Sequence, residues 1–302
     1  MLEWDVKRVG REIKRLRLQA GLSQKELSNG TVTQARISKI EAGKDNISPL
    51  AVTLFEISEI LGVSIDHFYR VGAHTEIDHA DTVKKQIRKF IRQENYDIAY
   101  GIIKKEKRNP VFFKNKRNWQ FLLWQEGIVI FYLNKSLHDS LHKLEEALDY
   151  MNRSPKIFSE REIEILNSIG IIYFDSNNQD RAITTYNHAL NKLSKIPSIQ
   201  DPTIEARLTY NLSMSLTRKK NFHKSIELCK NGIKKMIVNH KLSLLGKLHY
   251  QIGYNYRLLK DYSQSKMYYL KAKFIFELEG DTGSLAKVNE KITEIDFLER
   301  QK

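Results

Sequence analysis

The stretch "QIGYNYRLLKDYSQSKMYYLKAK", Gln251 to Lys273, decides the fold, because its pattern of small and aromatic residues recurs along the chain. It places Gly253, Tyr256, Ser265, Tyr269 and Ala272 at fixed spacings, and "NSIGIIYFDSNNQDRAITTYNHAL", Asn167 to Leu190, places Gly170, Tyr173, Ala182, Tyr186 and Ala189 at the same ones. Between them the slots are Ser213, Leu216, Ser225, Cys229 and Gly232. Upstream they are Ile128, Phe131, Ser140, Leu144 and Ala147, preceded by Trp124, and a looser copy holds Ile87, Phe90, Ala99 and Ile103. Small residues let two helices touch, and aromatic residues fill the space beside the contact.

This pattern is that of the tetratricopeptide repeat. Measured on the Ala/Ser slot, the copies fall at residues 99, 140, 182, 225 and 265. Their spacing exceeds the usual period of about 34 residues, which calls for longer helices or loops. The expectation is five helical hairpins over residues 81–280, with residues 281–302 as a capping helix. Stacked hairpins form a right-handed solenoid whose first helices line a concave groove. The side chains expected there are Lys84, Arg88 and Arg92, then Gln125, Asn167, Tyr210, Asn211, Thr217, Arg218, Tyr250, Gln251, Tyr254 and Arg257. Amides and tyrosines suit an extended peptide, whose backbone offers a donor and an acceptor at each residue, and the basic end suits a carboxylate. Hydrogen bonding between neighbouring repeats is the other use open to these groups. Cys229 occupies a small core slot, which argues against a reactive thiol.

The whole chain agrees with an all-α reading. Its 302 residues, 41% of them hydrophobic, can fill two or more cores. Only 5 prolines and 14 glycines interrupt it, and period-two alternation over strand lengths is absent. A formal charge of +14 favours polyanions or acidic ligands. The single cysteine permits no internal disulfide and no cysteine-based metal site. The sequence has neither an apolar run long enough to span a membrane nor an apolar signal core in its charged beginning, so a cytoplasmic protein is expected. "HDSLH" sets His138 and His142 at i and i+4 without the metalloprotease glutamate, which leaves them as solvent-facing side chains. With no glycine-rich phosphate loop either, no catalytic residue, metal or cofactor is predicted, and the chain is not expected to be an enzyme.

Residues 1–70 read as a separate domain, followed by a linker over 71–80. Val6, Val9, Ile13 and Leu16 mark a first helix stopped near Gly21, with Lys7, Arg8, Arg11, Lys14, Arg15 and Arg17 on its outer face, where some can meet phosphates. Ser23 and Glu26 form a capping box that starts a second helix, which ends near Asn29-Gly30. Thr33 caps a third helix that stops at Ala42-Gly43. A fourth runs from Pro49 to Leu61, and "GVSIDHFY" supplies a short fifth. Two helices joined by a glycine-containing turn describe a helix-turn-helix. With Ile37 and Ile40 packed inward, the third helix projects Gln34, Ala35, Arg36 and Lys39, whose chemistries can read adenine, a thymine methyl, guanine and phosphate in a major groove. Glu41 is expected to partner a neighbouring basic residue. One such domain covers half an operator, so a homodimer on an approximately palindromic duplex site is expected.

"SQKEL", "TQARISKIEAGK" and "SPLAVTLFEISEILGVSIDHFY" together resemble the Xre or lambda-repressor-like DNA-binding family over about residues 6 to 70. That resemblance implies a phosphate contact for Gln24. A repressor-like domain joined to five tetratricopeptide-like repeats resembles the Rgg/NprR/PlcR/PrgX group of peptide-pheromone-responsive regulators, in particular its PlcR-like members. The residues that carry it are "IDHFYRV", "FLLWQ", "TYNLSMSL" and "LGKLHYQIGYNYRLLKDY". The group implies a dimeric transcription factor that binds a short re-imported signalling peptide. It implies that Asn167 and Asn211, with Gln251 beside them, grip the peptide backbone, that Tyr69 matches an aromatic residue at the domain junction, and that Arg92 matches a groove lysine. Glu94 stands where the group has a second lysine, and the outward residues of "TQAR" differ, so neither peptide nor operator sequence carries over. The alternative is a helix-turn-helix protein whose repeats grip a protein partner. An aspartyl-phosphate phosphatase, the enzymatic alternative among related repeat proteins, would carry a helical bundle in place of the repressor-like domain.

Overall fold

The computed structural model describes residues 5–28, 32–43, 49–72, 74–151, 158–238 and 244–300. Among them are seventeen helices and no strand. The chain divides into two compact units, Met1–Leu122 and Leu123–Lys302.

The first unit opens with α1 (Val6–Gln19), α2 (Gln24–Leu27), α3 (Gln34–Ala42), α4 (Ala51–Leu61) and α5 (Ile65–Gly72). One core gathers Val9, Ile13, Leu27, Ile37, Ile40, Ile57 and Phe68, all essentially buried. Each such side chain contributes about 1.5–3 kcal/mol of hydrophobic stabilisation. α1 and α3 approach closely at Gly10, where a Cβ would stand 2.0 Å from the Ile40 carbonyl oxygen. The expected caps form: Ser23 Oγ accepts from Glu26 N while Glu26 returns to Ser23 N at 2.7 Å, and Thr33 Oγ1 accepts from Arg36 N at 3.3 Å. α3 ends at Gly43, which adopts the left-handed conformation. Pro49 precedes Leu50, the N-cap of α4, and so lies two residues earlier than the first-turn position expected of it. The Asn29-Gly30 turn lies outside the described residues.

α6 (His74–Arg92) and α7 (Tyr96–Glu106) form the first hairpin of the repeat series. Ile87, Ala99 and Ile103 are buried, as their slots require. The short α8 (Pro110–Phe113), which hydrophobic periodicity does not announce, starts where Asn109 Oδ1 accepts from Val111 N and Pro110 occupies the first turn. It buries Phe112.

The remaining hairpins are α9 (Lys116–Asn134) with α10 (Leu137–Asp149), α11 (Glu160–Asp175) with α12 (Gln179–Leu193), α13 (Thr203–Arg218) with α14 (Phe222–Val238), and α15 (Leu245–Leu258) with α16 (Tyr262–Glu279). α17 (Thr282–Arg300) covers the last of them, burying Val288 and Ile295. In the second unit consecutive helices pack on each other from α10 to α17, and first helices also touch first helices, α11 on α13 and α13 on α15.

Two local devices recur along the hairpins. In three of them a serine in the small slot bonds the facing helix: Ser140 Oγ donates to Gly127 O at 2.8 Å, Ser225 Oγ to Ser213 O at 2.9 Å and Ser265 Oγ to Gly253 O at 2.9 Å. Gly127, and not Ile128, therefore fills the small slot of its copy, because α9 has one more residue before its turn. Between the two helices a non-glycine residue with positive φ closes the turn: Glu94, Lys135, Asn177, Lys220 and Lys260. The residue after each is Asn95, Ser136, Asn178, Asn221 or Asp261, a type suited to start the next helix. Asn95, Asn178, Asn221 and Asp261 also donate their backbone N–H to the carbonyl five residues back, which closes the preceding helix in Schellman fashion.

Candidate functional site

The start of α3 presents Thr33, Gln34 and Ala35 exposed, with Lys39 exposed one turn later. Arg36 is half-buried, and its Nε is buried without a hydrogen-bond partner among the described residues. These five residues fall on a single surface because Ile37 and Ile40 fix the opposite side of α3 in the core. Beneath them lies a buried ion pair. Arg17 Nε and Nη2 donate to the two carboxylate oxygens of Glu41 at 2.6 and 2.9 Å, and Arg17 Nη1 donates to Leu22 O at 2.7 Å. Gln24 Nε2 donates to the same carboxylate at 2.9 Å, which fixes the first residue of α2 against α3. Burial pushes the Glu41 carboxyl up, but the hydrogen bonds from Arg17 and Gln24 and the charges of Arg17 and Lys14 outweigh it and hold the group below the usual carboxylate range. The basic neighbour expected for Glu41 is Arg17, which is buried here although hydrophobic spacing places it on the outer face of α1.

Elsewhere in the first unit, Tyr69 is 47% exposed. Lys84 pairs with Asp81 at 3.4 Å, and the Arg88 guanidinium lies 5.3 Å from the Phe121 ring centroid. Arg92 is exposed.

In the second unit the amides expected on the first-helix face divide into two groups. Asn211 Nδ2 donates to Asn167 Oδ1 at 2.8 Å, joining α13 to α11. Both residues are half-buried, and Asn167 Nδ2 and Asn211 Oδ1 make no hydrogen bond among the described residues. Gln251, by contrast, is buried, and its Nε2 donates to Thr217 Oγ1 at 2.8 Å. Thr217 donates in turn to Asn255 Oδ1 at 2.7 Å, and Asn255 Nδ2 donates to Ser225 Oγ at 2.9 Å. Gln251 and Thr217 thus serve the joint between successive hairpins rather than the first-helix surface. Asn255, fully buried, is the member that periodicity passed over; it lies two residues after the Gly253 slot, on the side turned to the neighbouring hairpin. Gln125 is buried as well.

The aromatic and basic groups of this face are held in place by neighbours. Tyr210 is half-buried, and burial pushes its hydroxyl up to about 12. Tyr250 and Tyr254 pack against the core around Tyr269 and Phe276. Arg218 lies over the Phe174 ring at 3.7 Å and donates to Phe174 O, whereas Arg257 pairs with Glu294 at 2.6 Å. Arg207, which the sequence reading did not single out, bridges Glu164 and Asp201 at 3.0 and 3.1 Å. Cys229 is wholly buried and its thiol is pushed up to about 12, an inert core position. His138 and His142 are exposed. Among the described residues no helix is long and apolar enough to cross a membrane.

Comparison with known proteins divides the sequence earlier, within the first compact unit. A helix-turn-helix family matches residues 13–68, and the RNPP family C-terminal domain matches residues 84–287. No curated protein matches the chain in a sequence search. Among solved structures, PlcR of Bacillus thuringiensis in complex with the peptide PapR7 and DNA is similar at a TM-score of 0.77 and 24% identity, over 93% of this chain and 99% of that one. The same protein in its apo form gives a TM-score of 0.64 at 23% identity, over 95% and 99%. Rgg2, the SHP pheromone receptor of Streptococcus dysgalactiae, gives 0.65 at 17% identity, over 95% and 99%. Those likenesses establish the fold, and the domain match, which spans about two thirds of the sequence, establishes the kinship: the chain belongs to the RNPP family.

Proposed function

We propose that this protein is a homodimeric, cytoplasmic transcription regulator of the quorum-sensing type, which reads a palindromic operator with the start of α3 and binds a short signalling peptide on the first-helix face of its repeats. The observation that carries this reading is the pairing of a helix-turn-helix match with an RNPP C-terminal domain in one chain. Similar chains have been crystallised with DNA and peptide, as PlcR with PapR7. In this reading Gln34, Ala35 and Arg36 meet base edges, and Gln24, Thr33 and Lys39 meet phosphates. Asn167 Nδ2 and Asn211 Oδ1 present one donor and one acceptor, the complement of a peptide unit. Tyr69, Tyr210 and Tyr254 supply aromatic contacts; Lys84, Arg88 and Arg92 receive the acidic end. A peptide alters DNA binding only through a difference in affinity for two arrangements of the dimer.

The test is operator binding by the purified protein with and without a candidate acidic hepta- or octapeptide. The expected result is a change in operator affinity or in the spacing of the two DNA-binding domains. Identical affinity and identical dimer geometry in both conditions would remove the sensing role.

A further inference from the structure

A second charged surface lies on the first unit, away from the recognition helix. Between α1 and α5 is an open cavity of about 470 Å³ lined by Arg8, Arg11, Glu12, Arg15, His67 and Val71. Glu12 lies within it, receiving Arg15 through Nε and Nη2 at 2.8 Å each and meeting His67 Nε2 at 2.8 Å. The Arg15 hydrogen bonds, followed by the contact with His67, overcome partial burial and pull the Glu12 carboxyl down to about 2. One carboxylate is therefore held here by a guanidinium and an imidazole. Arg8 and Arg11 remain, and their side chains make no ion pair among the described residues.

Helical geometry places this stripe. α1 packs on α3 through Gly10 and through Arg17, which holds Glu41. At about 100° per residue, Arg8, Arg11 and Arg15 lie roughly 100–160° around α1 from Gly10. A duplex read by Gln34 and Arg36 lies on the α3 side, so these arginines face elsewhere. They follow i, i+3, i+7 spacing over about 10 Å of axis, with the last of them, Arg15, already held by Glu12 and Gln19 and the first two left for a partner. Acidic residues on one face of a helix repeat at that interval, and carboxylates fit guanidinium forks bidentately.

We propose that the α1/α5 face is a docking surface for an acidic helix of a protein partner, separate from the DNA-reading surface of α3. Arg8 and Arg11 pair with partner carboxylates, Val71 supplies an apolar floor, and Glu12 holds Arg15 and His67 in place. The proposal is independent of the peptide reading.

The experiment uses the full chain bound to an operator duplex. The probe is a fluorescent synthetic helix with glutamates at i, i+3 and i+7; its glutamine counterpart and inorganic phosphate serve as controls. Binding is read by anisotropy for the natural protein, Arg8→Glu/Arg11→Glu and Arg8→Gln/Arg11→Gln, the neutral pair guarding against misfolding of the reversed one. The acidic helix is expected to bind at least about 10-fold tighter than its glutamine counterpart, with both double variants losing that preference. The salt dependence of operator binding is expected to stay unchanged. A fall in the salt slope of about 2 in the double variants would make the arginines phosphate contacts and overturn the proposal. So would displacement of the probe by equimolar inorganic phosphate, or binding indifferent to the substitutions.

Discussion

Removing the Glu41 carboxylate by Glu41→Ala tests whether the reading surface depends on the buried pair beneath it. Arg17 is 7% exposed and makes three hydrogen bonds, two of them to Glu41. The truncation leaves a buried guanidinium with only the Leu22 carbonyl, at a cost of about 3–5 kcal/mol, a large share of a typical domain stability of about 5–15 kcal/mol. Replacing both partners, as in Arg17→Met/Glu41→Leu, removes the stranded charge as well and is expected to fall within about 1 kcal/mol of the natural protein. Hydrogen exchange at the Ile37 and Ile40 amides of the full chain reads the local opening. The single variant should exchange about two to four orders of magnitude faster, and the double variant close to the natural rate. The pH dependence supplies an independent check. Because Glu41 titrates below its ordinary value when folded, its contribution is complete above the unfolded value near 4.5 and disappears as pH falls through the lower folded one. Glu41→Gln should flatten that acid limb. Equal destabilisation in the single and double variants would refute the reasoning, since it would mean that the shape of the pair matters and its charge does not.

Gly170 meets the wholly buried Tyr186 ring, where an added Cβ would stand 2.3 Å from Cε1. Gly170→Ala is expected to cost about 1–3 kcal/mol in urea unfolding, whereas Gly101→Ala, with open space around it in α7, should stabilise by about 1 kcal/mol. Burial, then the charge of Lys271, lowers the His249 imidazole to about 4, so it stays neutral in the fold while the unfolded chain takes up its proton near 6.5. Stability of the second unit should therefore decline as pH falls from about 6.5 to 4, and His249→Phe should flatten that decline in thermal melts. Asn255→Ala strands Thr217 and Ser225 in the joint between hairpins and should cost about 1–3 kcal/mol of stability. Asn211→Ala should instead cost about 1–3 kcal/mol in peptide affinity measured calorimetrically, with a smaller effect on unfolding.

The hairpins were legible in the sequence because a tetratricopeptide-like repeat announces itself twice, by helical periodicity and by small residues that must meet other helices. All five Ala/Ser slots, at Ala99, Ser140, Ala182, Ser225 and Ser265, are wholly buried. The small slot at Gly127 escaped because spacing alone cannot register one extra helical residue before a turn. On the DNA side, Ser23, Thr33 and Gly43 declared helix ends by side-chain chemistry that acts within three or four residues. The amides were harder. Asn211 and Gln251 occupy equivalent slots, two residues before Ser213 and Gly253, yet Asn211 bonds to Asn167, which stands three before Gly170, whereas Gln251 turns to the buried Thr217 hydroxyl. Periodicity names the face of a helix; the partner on the next helix decides which way a long amide bends.

The five left-handed residues that close the hairpins have a practical consequence. Glu94, Lys135, Lys220 and Lys260 each carry a Cβ in a conformation that costs an L-residue about 1 kcal/mol, while Asn177 fills the same position with a more tolerant side chain. Exchanging any of the four for asparagine relaxes that turn and leaves the amides of the first helices and the residues of α3 untouched. The rigidity of the stack can thus be adjusted one corner at a time, as an engineer retensions a truss at its joints, with the recognition chemistry left as it is.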